Sequence, residues 1–146
     1  VNGKKICGML TEMSAQFDYI NNIVIGIGIN VHNESFPEEI AKTASSLLLE
    51  CGHRFHRADI IEAFLEEFEA AYEVYLKTED MEGLQQDYNE LLVNMNRQVR
   101  VLDPKEPFEG KAMGITKKGE LIVDTWESRK LVSSGEVSVR GIYGYV

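Results

Sequence analysis

The run Gly26-Ile27-Gly28-Ile29-Asn30 is the segment whose residue types and spacing point most directly to chemistry. Glycines two residues apart in a strand bare the same face, which lets a ligand or another backbone come close. Asn30 then offers two donors and an acceptor where the chain would leave the sheet. The third glycine and the following helix of a dinucleotide fingerprint are missing, so that chemistry is excluded. Gly8 repeats the theme upstream and reads as a bulge or as part of the same surface. If the two runs pair, Gly8, Gly26 and Gly28 would line one shallow slot with the stems of Ile6 and Ile25. Such a slot suits a flat, partly apolar small molecule. Close packing of one strand on another is the competing reading.

A second segment, Ser134-Gly135-Glu136-Val137-Ser138-Val139-Arg140, sets Glu136, Ser138 and Arg140 on one strand face. Taken alone it reads as the exposed side of a sheet. His32, His53 and His56 are the three imidazoles. His53 and His56 would lie one turn apart in a helix, but Gly52 and Arg57 suggest a loop, and no carboxylate or thiolate converges there, so no metal site is expected. There is no Gly-x-Ser-x-Gly elbow and no Cys–His pairing for nucleophilic catalysis. Trp126, Tyr143 and Tyr145 read as packing residues of a small β unit, since no basic groove accompanies them.

The elements that must position these residues follow from periodicity. Lys5–Met13 and Asn22–Val31 read as an antiparallel strand pair, the second apolar enough to be buried on both faces. A first helix is expected to begin at Pro37, with Glu38 and Glu39 at its positive end, and to stop at Gly52. The strongest helix runs from about Ala58 to Lys77. Ile60, Ile61, Phe64, Leu65, Phe68, Ala71, Tyr72, Tyr75 and Leu76 form its apolar stripe, with glutamates on the other faces. A third helix is expected over Met81–Leu92. From Arg97 the period changes to two, giving short strands at Gln98–Leu102, Phe108–Ile115, Glu120–Asp124, Lys130–Val132 and Glu136–Arg140. Asp103-Pro104-Lys105 and Lys117-Lys118-Gly119 form turns, and Gly119 suits positive φ. Five such strands in about fifty residues suggest a small barrel.

Composition bounds what this assembly can be. The chain has 146 residues, 44% of them hydrophobic and 27% charged, which fits folded domains rather than disorder. No apolar run is long enough to span a bilayer, and no signal-peptide pattern opens the chain. Two cysteines, Cys7 and Cys51, without Cys-x-x-Cys spacing, fit a reducing cytoplasm rather than a disulfide scaffold. Net charge is −9, with −11 on residues 1–95 and +2 on residues 96–146. The acidic first part argues against nucleic-acid binding, and the change of sign marks a boundary between domains 1–95 and 96–146.

Two groups of motifs, in order, resemble biotin protein ligases. Lys4-Lys5-Ile6-Cys7-Gly8-Met9-Leu10 is followed by Ile25-Gly26-Ile27-Gly28-Ile29-Asn30-Val31, then by Phe36-Pro37 and Ala44-Ser45-Ser46-Leu47. The closing Ser134–Arg140 segment is similar to the end of the family's C-terminal domain. The resemblance runs collinearly over nearly all of the chain. It implies an α+β fold, with residues 1–95 the C-terminal part of a catalytic domain and 96–146 an SH3-like barrel. The catalytic part would carry a partial class II synthetase-like mixed sheet with helices.

Such enzymes activate biotin with ATP, accompanied by Mg²⁺, to biotinyl-5′-AMP and transfer biotin to a lysine of a biotin carboxyl carrier protein. By resemblance, Gly8, Gly26 and Gly28 would lie along biotin. Asn30, Phe36, Ser46, Glu136 and Arg140 would lie toward the nucleotide. The family's Gly-Arg-rich loop and its Lys-Trp-Pro-Asn-Asp segment, which supplies the catalytic lysine, are not in this sequence. The chain also opens without an initiator methionine. It is therefore expected to be a piece of a ligase, inactive alone, with a carrier protein and a second copy of itself as candidate partners. A lipoate-type ligase portion and a non-catalytic docking module are the competing readings.

Overall fold

A computed structural model describes residues 1–17, 19–133 and 138–141. Among the described residues the architecture is α+β, with a two-stranded and a five-stranded sheet, both antiparallel, and three helices. The chain divides into two compact units, Val1–Ile61 and Glu62–Tyr145.

In the first unit, β1 (Cys7–Ala15) and β2 (Ile20–Ile29) form a long ribbon. Its register pairs Gly8 with Gly28 and Leu10 with Gly26, and shifts between Ser14 and Ala15. Gly8 thus sits in a regular ladder, and the bulge reading fails. The expectation that the second strand is buried on both faces also fails. Ile23, Val24, Ile25 and Ile27 are all exposed, Val24 at 56%. Strand propensity and ladder hydrogen bonds account for the ribbon; among the described residues no further element covers it.

The segment after β2 is held by backbone hydrogen bonds. Lys5 N–H donates to Thr43 O at 2.7 Å, Ser45 N–H to Lys5 O at 2.9 Å, and Leu47 N–H to Asn30 O at 2.9 Å. Lys5 and Ala44 form a parallel bridge. That tether explains why the first helix does not begin at Pro37. Residues 38–43 make turns, and α1 covers only Leu47–Cys51. Ser46 is its N-cap, accepting from Leu49 N–H, and Gly52, at φ 74°, closes it as expected.

Helix α2 (Arg57–Thr78) forms where the stripe predicts. Its stripe is not buried against strands, however. Phe64, Phe68, Tyr72 and Tyr75 instead stack along the helix, with successive ring centroids 5.8, 5.9 and 6.4 Å apart. Contacts at i, i+3 and i+4 supply this order without a partner element. Helix α3 (Gln85–Leu91) begins later than Met81 because Asp80 Oδ1 accepts from Glu82 N–H at 2.8 Å, favouring a turn.

The second unit's sheet contains β3 (Gln98–Leu102), β4 (Phe108–Ile115), β5 (Leu121–Asp124), β6 (Arg129–Val132) and β7 (Ser138–Gly141). Their order is β6-β5-β4-β3-β7, and among the described residues no ladder closes β6 onto β7. Strand β3 alternates strictly, with Val99 and Val101 fully buried and Gln98, Arg100 and Leu102 outside. Val99, Val101, Ala112, Val123 and Val132 form the core, with Phe108, Leu121 and Val139 packed on it. Helix α3 docks on β4 through Asn89 Oδ1, which accepts from Ile115 N–H at 2.9 Å. Gly119 takes φ 80° in its turn, as expected.

Gly110 shows how tightly this sheet is built. A Cβ there would lie 2.6 Å from the carbonyl oxygen of Asp124 and 2.7 Å from Val123 Cγ1. Gly110→Ala is expected to destabilise the second unit by about 1–3 kcal/mol. Urea unfolding followed by far-UV circular dichroism would measure it, and an unchanged midpoint would contradict the packing described.

Candidate functional site

The ribbon register decides which side chains share a face. Residues paired across an antiparallel ladder point to the same side, so Gly8, Gly28, Gly26 and Leu10 lie on one face, and Ile6 by alternation with them. Ile25 pairs with Thr11 and lies on the opposite face, so it does not line the slot as expected. None of the three glycines takes positive φ. A Cβ at Gly8 would meet nothing within 4 Å, one at Gly26 only Leu10 O at 3.7 Å, and one at Gly28 only Gly8 O at 3.8 Å. Neither backbone conformation nor packing demands glycine here. What the three glycines leave is a bare stretch on one face of the ribbon, flanked by the side chains of Ile6 and Leu10.

Asn30 stands at the end of that floor. Its N–H donates to Ile6 O at 2.7 Å and its Nδ2 to Ser45 O at 3.1 Å. One amide hydrogen and the Oδ1 acceptor remain for another group. Ser46 is fully buried, and its hydroxyl is engaged on both sides: it donates to Asn33 O at 2.6 Å and accepts from Leu49 N–H at 3.2 Å. It therefore shapes the 30–46 loop from within. Phe36 is half-buried on the same stretch.

A cleft of about 280 Å³ opens beside this loop, lined by Ile29, Val31, His32, Asn33 and Arg57. His32 Nε2 lies 2.9 Å from Phe55 O. The sequence gives His32 no role beyond its being one of three imidazoles, and Arg57 only that of a loop signal. Nothing in their spacing signals a shared cleft, since 25 positions separate them. His53 packs on Phe55, with ring centroids 4.3 Å apart, and does not join His56 in a site.

Gly8, Gly26, Gly28, Asn30, Phe36 and Ser46 all belong to the first unit, and Arg140 to the second. Arg140 is exposed on β7, directly across from Arg100 of β3. Glu136, Tyr143 and Tyr145 lie outside the described residues. Trp126, expected to pack in the sheet unit, is 93% exposed.

These features meet the comparisons with known proteins. Residues 95–140 match the family described as the biotin protein ligase C terminal domain. Over nearly its whole length the chain is similar, in sequence and in fold, to the C-terminal portion of biotin protein ligases. The bifunctional ligase/repressor BirA of Bacillus spizizenii is 34% identical over 141 residues, covering 95% of this chain and 43% of that protein. BirA of Escherichia coli is 29% identical over 140 residues, covering 94% and 42%. The apo structure of biotin protein ligase from Aquifex aeolicus superposes with a TM-score of 0.83 at 26% identity, covering 97% of this chain and 61% of that one. The same enzyme in complex with biotin and ATP gives 0.74 at 25% identity, with 95% and 57% covered. The chain thus spans less than half the length of its BirA relatives. No helix of the described residues is long and apolar enough to cross a membrane.

The loop beside Asn30 also carries an acid-sensitive clip. Ser45 Oγ donates to Glu50 Oε1, and Asn2 Nδ2 donates to Glu50 Oε2 at 2.7 Å. The Ser45 bond, then the Asn2 bond, hold the Glu50 carboxyl below its ordinary range, with smaller help from the Lys4 ammonium. A lowered folded pKa contributes stability that is complete above the unfolded glutamate value, about 4.3, and is lost as pH falls through the folded value. Amide exchange protection at Ser45 and Lys5 is therefore expected to hold at neutral pH and to drop below that range. In Glu50→Gln the protection should be weaker at neutral pH and nearly flat against pH; an unchanged acid-dependent drop in that variant would assign the effect elsewhere.

Proposed function

We propose that this chain is the portion of a biotin–protein ligase that supplies the floor of the biotin pocket, the loop facing the nucleotide, and the C-terminal domain. The observation that carries the reading is the face of Gly8, Gly26 and Gly28, glycines that neither packing nor φ requires. It is supported by the collinear likeness to ligases, one of them determined in complex with biotin and ATP. In the reaction the biotin carboxylate attacks the α-phosphate of ATP, pyrophosphate leaves, and biotinyl-5′-AMP forms. A lysine amine of a biotin carboxyl carrier protein then displaces AMP and becomes the biotinyl amide.

The residues of this chain divide that work. The glycine floor lets the bicyclic ring of biotin approach the backbone, with Ile6 and Leu10 as apolar neighbours. Asn30, already anchored by Ser45, turns its remaining donor and acceptor toward the adenylate. Phe36 lines the nucleotide side, and Ser46 keeps the loop in place from inside. Glu136 and Arg140 of the C-terminal, SH3-like domain act on the nucleotide, Arg140 through charge. Domain limits of 1–95 and 96–146 belong to this reading, as does a cytoplasmic location, where ATP and carrier protein meet. Magnesium would accompany ATP, but no group of three His, Cys, Asp or Glu side chains that could hold it gathers among the described residues.

The charge that develops on the reacting phosphate needs a preorganised cation. In the family that cation comes from the lysine segment that this sequence does not contain. Residues 1–146 alone are therefore expected to release no pyrophosphate from ATP and biotin, and to regain turnover when the Gly-Arg and lysine segments of a ligase are supplied in trans. Turnover by the isolated chain would overturn the division of labour. An associated but silent mixture would overturn complementation.

Gly28→Val tests the pocket itself. Because a Cβ at Gly28 meets only an ordinary contact, and valine suits a strand, thermal stability should change little. Biotin affinity of the assembled ligase should fall by at least about tenfold, roughly 1.4 kcal/mol. A collapse of stability with normal biotin binding by the remaining folded protein would return Gly28 to a packing role.

A further inference from the structure

Of the chain's asparagines only Asn2 is followed by a glycine. The pair occupies the two central positions of a tight turn. Asn2 takes φ 50° and Gly3 φ 75°, and Lys4 N–H donates to Val1 O at 2.8 Å. Positive φ at both central positions is the turn that favours Asn-Gly. Both residues are exposed. A Cβ at Gly3 would meet nothing within 4 Å, and among the described residues Gly3 N–H has no hydrogen-bond acceptor. The backbone nitrogen that follows the Asn2 amide is thus uncrowded, unengaged and open to water. Those are the conditions in which an asparagine side chain reacts with its own main chain.

A contact distant in sequence opposes that reaction. Asn2 Nδ2 donates to Glu50 Oε2 at 2.7 Å, while Ser45 Oγ holds the other carboxylate oxygen and the Lys4 ammonium stands 4.0 Å from it. For a ring to close, Asn2 Cγ must swing onto Gly3 N and the amide nitrogen must leave, so the bond to Glu50 has to open first. The product cannot remake it. A carboxylate at position 2 has no N–H to donate and faces the Glu50 anion as a like charge. An isoaspartate also adds a main-chain carbon inside a two-residue turn, which the Lys4–Val1 hydrogen bond does not accommodate. That turn leads straight into Lys5, whose N–H and C=O hold Thr43 O and Ser45 N–H at 2.7 and 2.9 Å. Ser45 O in turn anchors Asn30 Nδ2 at 3.1 Å.

We propose that Asn2 is a site of deamidation guarded by Glu50, and that its conversion releases residues 43–48 from their clip in one direction only. Gly3 N gives up its proton to hydroxide and attacks Asn2 Cγ. The new C–N bond closes a five-membered succinimide, and the Cγ–Nδ2 bond breaks as ammonia leaves. Water then opens the ring at one of its two carbonyls. Opening at Cγ leaves aspartate; opening at the main-chain carbonyl leaves isoaspartate. The sum is asparagine and water giving a carboxylic acid and ammonia, with no oxidant, reductant or cofactor. The proposal stands apart from the ligase reading, since it uses only the turn, Glu50 and the loop that they hold.

The test incubates the 146-residue chain at mildly alkaline pH and follows it by peptide mass spectrometry and by labelling with an isoaspartyl methyltransferase. The peptide that carries Asn2 is expected to gain one mass unit and accept the methyl label ahead of every other asparagine. Asn2→Gln should abolish both signals. Glu50→Ala should speed the reaction several-fold, and Ser45→Ala, which loosens the loop but leaves Glu50 to Asn2, should speed it less. In the aged chain and in Asn2→Asp, amide exchange at Lys5 and Ser45 should be faster than in the parent at neutral pH. Modification absent from Asn2, or spread evenly over other asparagines, overturns the site. A rate unchanged in Glu50→Ala, or raised equally in Ser45→Ala, overturns the guard. Unchanged exchange in both the aged chain and Asn2→Asp overturns the release.

Discussion

Backbone hydrogen bonds from Lys5, Asn30 and Val31 to residues 43–48 are the constraint on which the first unit depends. Among the described residues of this unit Val31, Ser45 and Ser46 reach burial, and two of the three are polar. Burial of apolar area therefore supplies little of its cohesion. The strand exit is instead stitched to a loop whose carbonyls and amides would otherwise lack partners. The hydroxyls of Ser45 and Ser46 complete the stitch, one toward Glu50 and one toward Asn33. Asn30 is oriented by the same bonds, so the polar end of the glycine floor and the stability of the loop are one arrangement.

The second unit is built on the opposite principle. Val99, Val101, Ala112 and Val123 are wholly buried and lie on the inner face of one twisted antiparallel sheet. Their β-branched or small side chains interlock closely enough that a methyl group at Gly110 has no room. The outer face, freed from packing, carries arginines, lysines and acids in register. That contrast sets an open glycine-bearing ribbon face in one unit against a charged sheet face and an exposed tryptophan in the other.

Glycine plays different parts in the two units. At Gly52, Gly114 and Gly119 the backbone takes positive φ, and at Gly110 a neighbouring strand leaves no space. At Gly8, Gly26 and Gly28 neither reason applies. Side chains are missing there without a structural demand inside this chain.

Local patterns in the sequence determined much of this. Alternation placed β3 to the residue, because its Val99 and Val101 face the core and period two follows, and it placed β4 to the residue although its period breaks after Ala112. The stripe at helical spacing placed α2, and Gly52 and Gly119 marked a helix end and a turn because few other residues accept positive φ. The spacing of Gly26 and Gly28 already put both on one face. Tertiary structure decided the rest. That Gly8 stands opposite Gly28, and Ile25 on the far side, depends on register, which a one-residue slip would invert. The first helix was lost from Pro37 to Ser46 because Lys5, some forty residues away, captures the intervening backbone. Hydrophobicity could not tell that β2 and the α2 stripe are bare, since burial depends on what packs against an element and not on the element itself. Trp126 follows the same rule: its residue type favours burial, yet it stands exposed on the turn closed by Thr125 and the Asp124–Arg129 pair.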